Sequence, residues 1–185
     1  MRIISGKFRG RKIIGPKNNL IRPTSDRARE MIFNTLNSIL SKHNISLNGL
    51  AVMDCFCGTG AFGIEAISRG AEKVVFIDYS AECLDVCKSN CNKFQINEKS
   101  KIFKIDFFKE KIAEQFFKID ILFCDPPYRK FNLSKIIHRI DKLVKKHCFI
   151  IIESQIEDYK SELDGYELIK IKYISNSQFI FLKKG

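Results

Sequence analysis

From residue 50 onward, short apolar segments alternate with helix-length segments, and this alternation constrains the fold more than any other feature. The apolar segments are continuous rather than alternately polar, which is typical of parallel strands covered on both faces. We predict strands at 50–54, 73–78, 102–106, 119–125 and 149–153 and helices at 61–69, 81–94, 107–117 and 133–146. Segments 167–174 and 177–182 predict a closing antiparallel hairpin. The fold class is therefore α/β and Rossmann-like, with a seven-stranded, mostly parallel sheet and helices on both faces.

The first 42 residues predict a small extension ahead of this sheet. Two short extended pieces, 2–5 and 11–14, form a β-hairpin, and a helix follows at 25–42, which Thr24 or Ser25 can cap. Arg27 and Arg29 are expected on the polar side of that helix. We therefore divide the chain into a basic N-terminal extension, 1–24, and a main domain, 25–185, that begins with this leading helix.

The positive charge of the chain is concentrated at its N-terminus. Residues 1–30 hold nine basic and two acidic residues, a net charge of +7, so the other 155 residues carry only +4 of the total +11. Six of the nine arginines lie in this stretch. A codon bias acts on the whole chain, so it would not concentrate arginine at one end. Basic residues clustered in this way predict a surface that binds the phosphates of a nucleic acid.

Composition excludes several other classes of protein. With 45% hydrophobic residues and only 4 prolines, the chain is neither disordered nor collagen-like. Its longest apolar run is five residues, Cys148 to Ile152, so we expect no membrane span and no secretory signal. The seven cysteines form no C-x-x-C pair, and we expect free core thiols, no metal site and a cytoplasmic location.

Each of the five core strands ends at an acidic residue. In open α/β sheets, ligands bind beyond the carboxyl ends of the strands. Five acids at that edge are a poor match to a bare phosphate, but they match a ligand that carries a cation, an amine and a ribose diol. The five acids are Asp54, Asp78, Asp106, Asp125 and Glu153.

The first of these acids precedes a glycine-rich turn. Gly58, Gly60 and Gly63 satisfy G-x-G-x-x-G, and Asp78 follows about 20 residues later, as in dinucleotide-binding proteins. However, Asp54-Cys-Phe-Cys separates the strand from the first glycine and places a negative charge where a pyrophosphate would lie. The stretch D-x-F-x-G-T-G resembles motif I of class I S-adenosylmethionine-dependent methyltransferases.

The fourth strand ends in Asp125-Pro126-Pro127-Tyr128. Since two successive prolines remove two N–H donors, the Asp125 carboxylate and the Pro126 carbonyl are left as acceptors. Such a pair can hold the two hydrogens of an exocyclic base amine and align its lone pair for attack on a sulfonium methyl group. Tyr128 can stack on the flat base. This motif is typical of amino-group methylation of a nucleobase.

With these motifs in place, the whole chain resembles the RsmD-type bacterial 16S rRNA guanine-N2 methyltransferases. The N-terminal G-x-x-R-G and R-P-T-x-D-x-x-R elements are the most specific part of the match, which also includes Glu65 to Ala71 and Asp125 to Tyr128. The resemblance implies a class I methyltransferase fold and transfer of one methyl group to the N2 amine of a guanine, the 16S rRNA (guanine(966)-N(2)) type. It also implies a monomer that acts on 16S rRNA within an assembled small ribosomal subunit.

The resemblance implies three groups of site residues. The catalytic group is Asp125, Pro126, Pro127 and Tyr128. The S-adenosylmethionine group is Asp54, Phe56, Gly58, Thr59, Gly60, Asp78, Asp106 and Phe107. The RNA-binding group is Arg2, Lys7, Arg9, Arg11, Lys12, Arg22, Thr24, Arg27 and Arg29.

Three alternatives remain open from the residues. An N6-adenine DNA methyltransferase shares the chemistry, although such enzymes usually carry a separate region that reads duplex sequence. An NAD-dependent oxidoreductase could use the same glycines. A non-catalytic RNA-binding assembly factor could retain the fold and the basic N-terminus.

Overall fold

The computed structural model describes residues 1–15, 24–110, 118–127, 133–154 and 163–185. Within them, four helices lie at α1 Asp26–Lys42, α2 Ala61–Ser68, α3 Ala81–Phe94 and α4 Leu133–Asp141. Seven strands lie at β1 Ala51–Cys55, β2 Lys73–Asp78, β3 Ser100–Lys104, β4 Ile121–Cys124, β5 Phe149–Ser154, β6 Tyr166–Ile174 and β7 Ser177–Lys184. A short 3-10 helix, Asn97–Lys99, precedes β3. None of the described helices combines the length and the apolar composition needed to cross a bilayer.

The strands form one mixed sheet in the order β3-β2-β1-β4-β5-β7-β6. The first five strands are parallel, and β7 pairs antiparallel with both β5 and β6. The chain crosses from one half of the sheet to the other between β1 and β4. In such a fold, a crevice for a ligand opens at the carboxyl ends of these two strands. The predicted fold class is confirmed.

Two hydrophobic clusters cover the two faces of the sheet. One face packs against α1, α2 and α3, and its cluster includes Val52, Phe76 and Phe123. The other face packs against α4 and includes Met53 and Ile150. Because residues of β1 alternate between the two clusters, both of its faces are buried, as its continuous apolar sequence predicts.

The N-terminal segment is packed on the main domain. Ile3, Phe8 and Ile13 are buried in the cluster shared with α1 and α2. One antiparallel bridge joins Arg2 to Lys12, so the predicted hairpin consists of a single bridge with turns between its arms.

Two predicted helices differ from the structure. Residues 107–110, the start of the helix predicted at 107–117, form turns, and the remainder of that helix lies outside the described residues. The helix predicted at 133–146 ends at Asp141. There the ammonium group of Lys184, from β7, donates hydrogen bonds to the carbonyls of Asp141 and Val144, at 2.8 and 3.0 Å. The Asp141 carbonyl, at the end of the helix, therefore has a long-range partner in place of an intrahelical one.

Candidate active site

The glycine-rich loop between β1 and α2 is held by the side chain of Asp54. Its Oδ2 accepts a hydrogen bond of 3.0 Å from the backbone N–H of Gly63, in the first turn of α2. Gly63 lies against the sheet, since a Cβ there would come within 2.4 Å of the Phe76 ring. Gly60 caps α2 in the left-handed region, with φ 77°, which favours glycine. The loop geometry therefore depends on the residues that form motif I.

Asp78 holds the other side of the same loop. It is the last residue of β2, and its Oδ2 accepts a hydrogen bond of 3.0 Å from the Gly58 N–H. Its Oδ1 accepts from Ser80 N at 2.9 Å. Burial raises the pKa of this carboxyl group, and the backbone hydrogen bonds oppose that shift. Because each carboxylate oxygen can accept more than one hydrogen bond, Asp78 can also accept hydrogen bonds from the hydroxyls of a ribose.

Asp125 lies across the crevice from this loop, directly after β4. Its Oδ2 accepts a hydrogen bond of 3.1 Å from the Thr24 hydroxyl. Burial and the nearby negative charge of Glu153 raise the pKa of Asp125, the charge of Asp54 adds to this shift, and the Thr24 hydrogen bond opposes it. Asp125 is therefore a carboxyl group whose ionisation depends on the side chains around it. Pro126 and Pro127 follow in irregular backbone.

One pocket of about 50 Å³ joins the two halves of the site. The glycine loop and helix α2 contribute one side, and Phe123, Asp125 and Thr24 contribute the other. The lining residues are Thr24, Asp54, Phe56, Cys57, Gly58, Thr59, Ala61, Phe62, Phe123 and Asp125. The structure thus brings predicted cofactor residues and the predicted catalytic acid to one place at the sheet edge.

Asp106 and Phe107 occupy the turn after β3. The Oδ1 of Asp106 accepts from the backbone N–H groups of Phe108 and Lys109, at 3.1 and 3.3 Å, so this acid caps a turn. Phe107 is only 2% exposed, and its ring packs 5.1 Å from that of Phe56. Of these two rings, Phe56 lines the pocket. Contact between Phe107 and a cofactor remains a prediction.

The basic residues of the N-terminus fall into two groups. Six are exposed, and three of these line a cavity of about 380 Å³ between the hairpin and α1: Arg2, Arg9 and Arg27. Lys7 and Lys12 are exposed too. Arg11 is exposed as well, but its guanidinium donates to the Lys93 carbonyl at 2.8 Å and lies 4.6 Å from the Phe94 ring centroid.

Arg29 corrects the sequence analysis. The prediction that it lies on the polar face of α1 is wrong, because the residue is fully buried. It shares a helix face with Ile32, Phe33 and Leu36, at the 3- and 4-residue spacing of a buried stripe. Its guanidinium cannot reach an RNA phosphate from there. The predicted site residues Arg22 and Tyr128 lie outside the described residues.

One polar residue at the site, Asn90, was not identified from the sequence, and another, Glu153, was expected only as part of the acidic edge of the sheet. Asn90, on α3, is fully buried and donates to the carbonyl of Thr59 at 2.9 Å and to that of Ile14 at 3.0 Å. It thus ties the glycine loop to the N-terminal segment. Glu153, from β5, lies close enough to Asp125 to raise the pKa of that carboxyl group. The sequence signal for Asn90 was a polar residue within the buried stripe of a helix.

The cysteines lie in the core, as predicted. All seven are free and buried. Cys87, on α3, lies against Cys57 of the glycine loop, and that contact together with burial raises the pKa of Cys87. The contact with Cys87 and burial raise the pKa of Cys91 in the same way. Across the described ranges, no three potential metal ligands are grouped closely enough to hold an ion.

Comparisons with known proteins cover nearly the whole chain. Residues 1–183 match the family described as conserved hypothetical protein 95. Ribosomal RNA small subunit methyltransferase D of Haemophilus influenzae is 30% identical over 183 residues, which cover 93% of this chain and 88% of that protein. The protein of the same name from Escherichia coli is 30% identical over 166 residues, 85% and 76% of the two chains. The solved structure of Escherichia coli yhhF, whose name assigns it to the methyltransferases, has a TM-score of 0.80 at 26% identity and covers 100% of this chain and 97% of its own.

Proposed function

The chain belongs to the family described as conserved hypothetical protein 95, the RsmD family of S-adenosylmethionine-dependent rRNA methyltransferases, and we propose that within it the chain methylates the N2 amine of a guanine in 16S rRNA. One observation carries the proposal: Asp125, followed by two prolines, faces the glycine loop across a single pocket at the sheet edge. The methyltransferase names of its relatives favour this function over an NAD-dependent oxidoreductase and over a non-catalytic assembly factor.

The residues around the glycine loop match the needs of the cofactor. Asp78 has oxygens that can accept ribose hydroxyls, and Gly58 and Gly60 let the backbone approach a ligand closely. The carboxyl group of Asp54 lines the pocket in which a sulfonium would lie, and Phe56 offers an aromatic face there. When bound, S-adenosylmethionine supplies an electrophilic methyl group. The chain's own contribution is to hold that group in the crevice opposite Asp125.

The acceptor half of the site orients a weak nucleophile. The lone pair of an exocyclic guanine amine is delocalised into the ring, so attack requires that its two N–H groups be held. Asp125 and the Pro126 carbonyl can accept these two hydrogen bonds, which aligns the lone pair toward the methyl group. When the nitrogen takes the methyl group, the sulfur–methyl bond breaks and its electron pair stays on the neutral thioether S-adenosylhomocysteine. The methylated amine is then acidic, and a carboxylate oxygen of Asp125 can accept the released proton. Tyr128 is proposed to stack on the base.

The N-terminal extension is proposed to position the RNA. Arg2, Lys7, Arg9, Lys12 and Arg27 are exposed on one part of the molecule, where they can contact phosphates. Such contacts orient the substrate without selecting a base. We propose that the extension, residues 1–24, acts with the main domain as a monomer on 16S rRNA of an assembled small subunit.

Methyl transfer in solution tests this proposal. The purified protein is incubated with methyl-labelled S-adenosylmethionine and with small subunits from a strain that lacks the gene. The nucleosides of the 16S rRNA are then resolved by mass spectrometry. The proposal predicts label in N2-methylguanosine. Asp125→Ala should abolish the label, whereas Asp85→Ala, which removes an exposed carboxylate from α3, should leave the rate unchanged. Label in N6-methyladenosine, or none with the wild type, contradicts the proposal.

A further inference from the structure

We infer that Arg29 and Thr24 are positioning residues for the transfer: Arg29 holds Thr24 so that its hydroxyl donates to Asp125, and the same guanidinium fastens the N-terminal hairpin. This inference rests on the proposed function and assigns to both residues a role other than RNA binding. We call the series Arg2–Arg29–Thr24–Asp125 the acceptor relay.

The guanidinium of Arg29 connects two backbone segments. Its Nη1 donates to the Thr24 carbonyl at 2.9 Å, and its Nη2 donates to the Arg2 carbonyl at 2.6 Å. Nη2 also forms a 2.8 Å ion pair with Asp26, whose side chain is 40% exposed. Burying a guanidinium is costly unless its donors are satisfied. Here backbone carbonyls take two of its hydrogen bonds, so Arg29 fixes the positions of those carbonyls.

Thr24 uses its two polar groups in different directions. Its carbonyl accepts from Arg29, while its hydroxyl donates to Oδ2 of Asp125 at 3.1 Å. A residue whose carbonyl is held in this way has little freedom to move its hydroxyl away. Thr24 also precedes the N-cap Ser25, so the beginning of α1 adds a second constraint on its backbone. The arrangement holds a hydroxyl donor on the catalytic carboxylate.

The donor matters because the other titratable groups around Asp125 are carboxyl groups. Glu153 faces it from β5 and Asp54 faces it from β1, and both oppose its ionisation. The Thr24 hydrogen bond favours the ionised form, which is the form that accepts the amine hydrogens and the released proton. Loss of this donor should therefore raise the pKa of Asp125 and reduce the rate of methyl transfer at pH values below that pKa.

The relay also reaches the proposed RNA-binding surface. Arg2 lies in the hairpin that carries Lys7 and Arg9, and the Arg2 N–H points to the Asp26 carboxylate at 3.4 Å. The same Asp26 oxygen accepts from Arg29. Docking of the hairpin and the hydrogen bond on Asp125 therefore share one buried guanidinium. An altered hairpin position should change the acidic limit of methyl transfer.

The test compares pH profiles of single-turnover transfer with saturating 16S rRNA. Thr24→Val removes the hydroxyl at nearly constant shape and should move the acidic limb upward by about one pH unit, a tenfold loss of rate below the limb. Thr24→Ser should restore the wild-type profile. Arg29→Met should shift the limb in the same direction, and the double variant should shift it no further than Thr24→Val alone. Lys42→Met removes an exposed cation from the same helix and should change nothing.

Two outcomes overturn the relay. One is an unshifted limb in Thr24→Val. The other is a rise in the KM for RNA as the only effect of Arg29→Met. That result is expected if Arg29 contacts RNA or has only a structural role. If Arg29→Met fails to fold, Arg29→Lys replaces it. Carbon-13 NMR titration of the Asp125 carboxyl group, assigned with Asp125→Asn, measures the same shift without catalysis. The two proposals can thus fail separately. A wild-type protein that transfers no methyl group to 16S rRNA refutes the proposed function, and an unchanged NMR titration of Asp125 in Thr24→Val refutes the relay.

Discussion

Glu65→Gln should release the N-terminal segment from the main domain. The Glu65 side chain is fully buried on α2, and it accepts hydrogen bonds from Ile4 N at 2.8 Å, Ser5 N at 3.0 Å and Arg69 Nε at 2.7 Å. An amide has one acceptor oxygen, so its NH2 group must face one of these donors. The substitution also leaves the Arg69 guanidinium, whose side chain is 9% exposed, without its counter-charge.

The magnitude follows from the lost interactions. A hydrogen bond to a charged group contributes about 1.5–3 kcal/mol, and a buried N–H left without an acceptor costs about 1–3 kcal/mol. Since the amide oxygen can still accept from one or two donors, we expect a net loss of about 3 kcal/mol. For a chain of this size, that corresponds to a decrease in Tm of roughly 6–12 °C.

Urea unfolding at neutral pH measures this loss through the midpoint, with an unchanged m-value. Trypsin should also cleave after the exposed Arg9 sooner in the variant than in the wild type. Glu72→Gln removes an exposed carboxylate just after the same helix and should leave both measurements unchanged. A Glu65→Gln midpoint equal to that of the wild type refutes the argument that this carboxylate anchors the segment.

Two further predictions concern charge. Burial raises the folded-state pKa of Asp54, so its ionisation opposes folding as the pH rises above the unfolded-state value. The stability gained by Asp54→Asn, which keeps an acceptor for Gly63, should therefore increase between pH 4 and pH 8 in urea unfolding; an equal gain at both values contradicts this. Arg9→Ala should reduce the slope of log K for RNA against log salt by about 0.7–0.9, and Arg11→Ala, whose guanidinium is bonded to Lys93, should reduce it less. Equal slopes in Arg9→Ala and the wild type would show that Arg9 is a solvated surface residue that makes no contact with an RNA phosphate.

The sequence predicted the sheet because buried parallel strands are continuously apolar. All five core strands and the closing hairpin lie within a few residues of the predicted positions. The alternation of strands and helices restricts the strand order only through the general rules for crossover connections. It was nevertheless enough to predict that Asp54, Asp78 and Asp125 share one edge, because the carboxyl ends of parallel strands lie together. Family membership, inferred from the glycine loop and the N-terminal motifs, is also confirmed.

The features missed from the sequence depend on contacts between distant residues. The last carbonyl of helix α4, that of Asp141, has its partner in Lys184, 43 positions away. The turn at 107–110 contains Phe107, whose ring packs on Phe56 of the glycine loop, a contact that the local sequence pattern does not show.

Arg29 was misplaced for a similar reason. A charged residue on a helix is usually solvated, and the burial of this one depends on the carbonyls of Arg2 and Thr24 and on the carboxylate of Asp26. The partner of Thr24 could not be predicted either, since 101 positions separate it from Asp125.

Binding of S-adenosylhomocysteine, measured by calorimetry, tests the central claim that one crevice holds a cofactor half and an acceptor half. Asp78→Ala should lose most of the affinity, because that carboxylate holds the glycine loop and is assigned to the ribose. Asp125→Ala should bind the ligand with wild-type affinity although it transfers no methyl group. Equal loss of affinity in both variants, or none in Asp78→Ala, contradicts the division of the site.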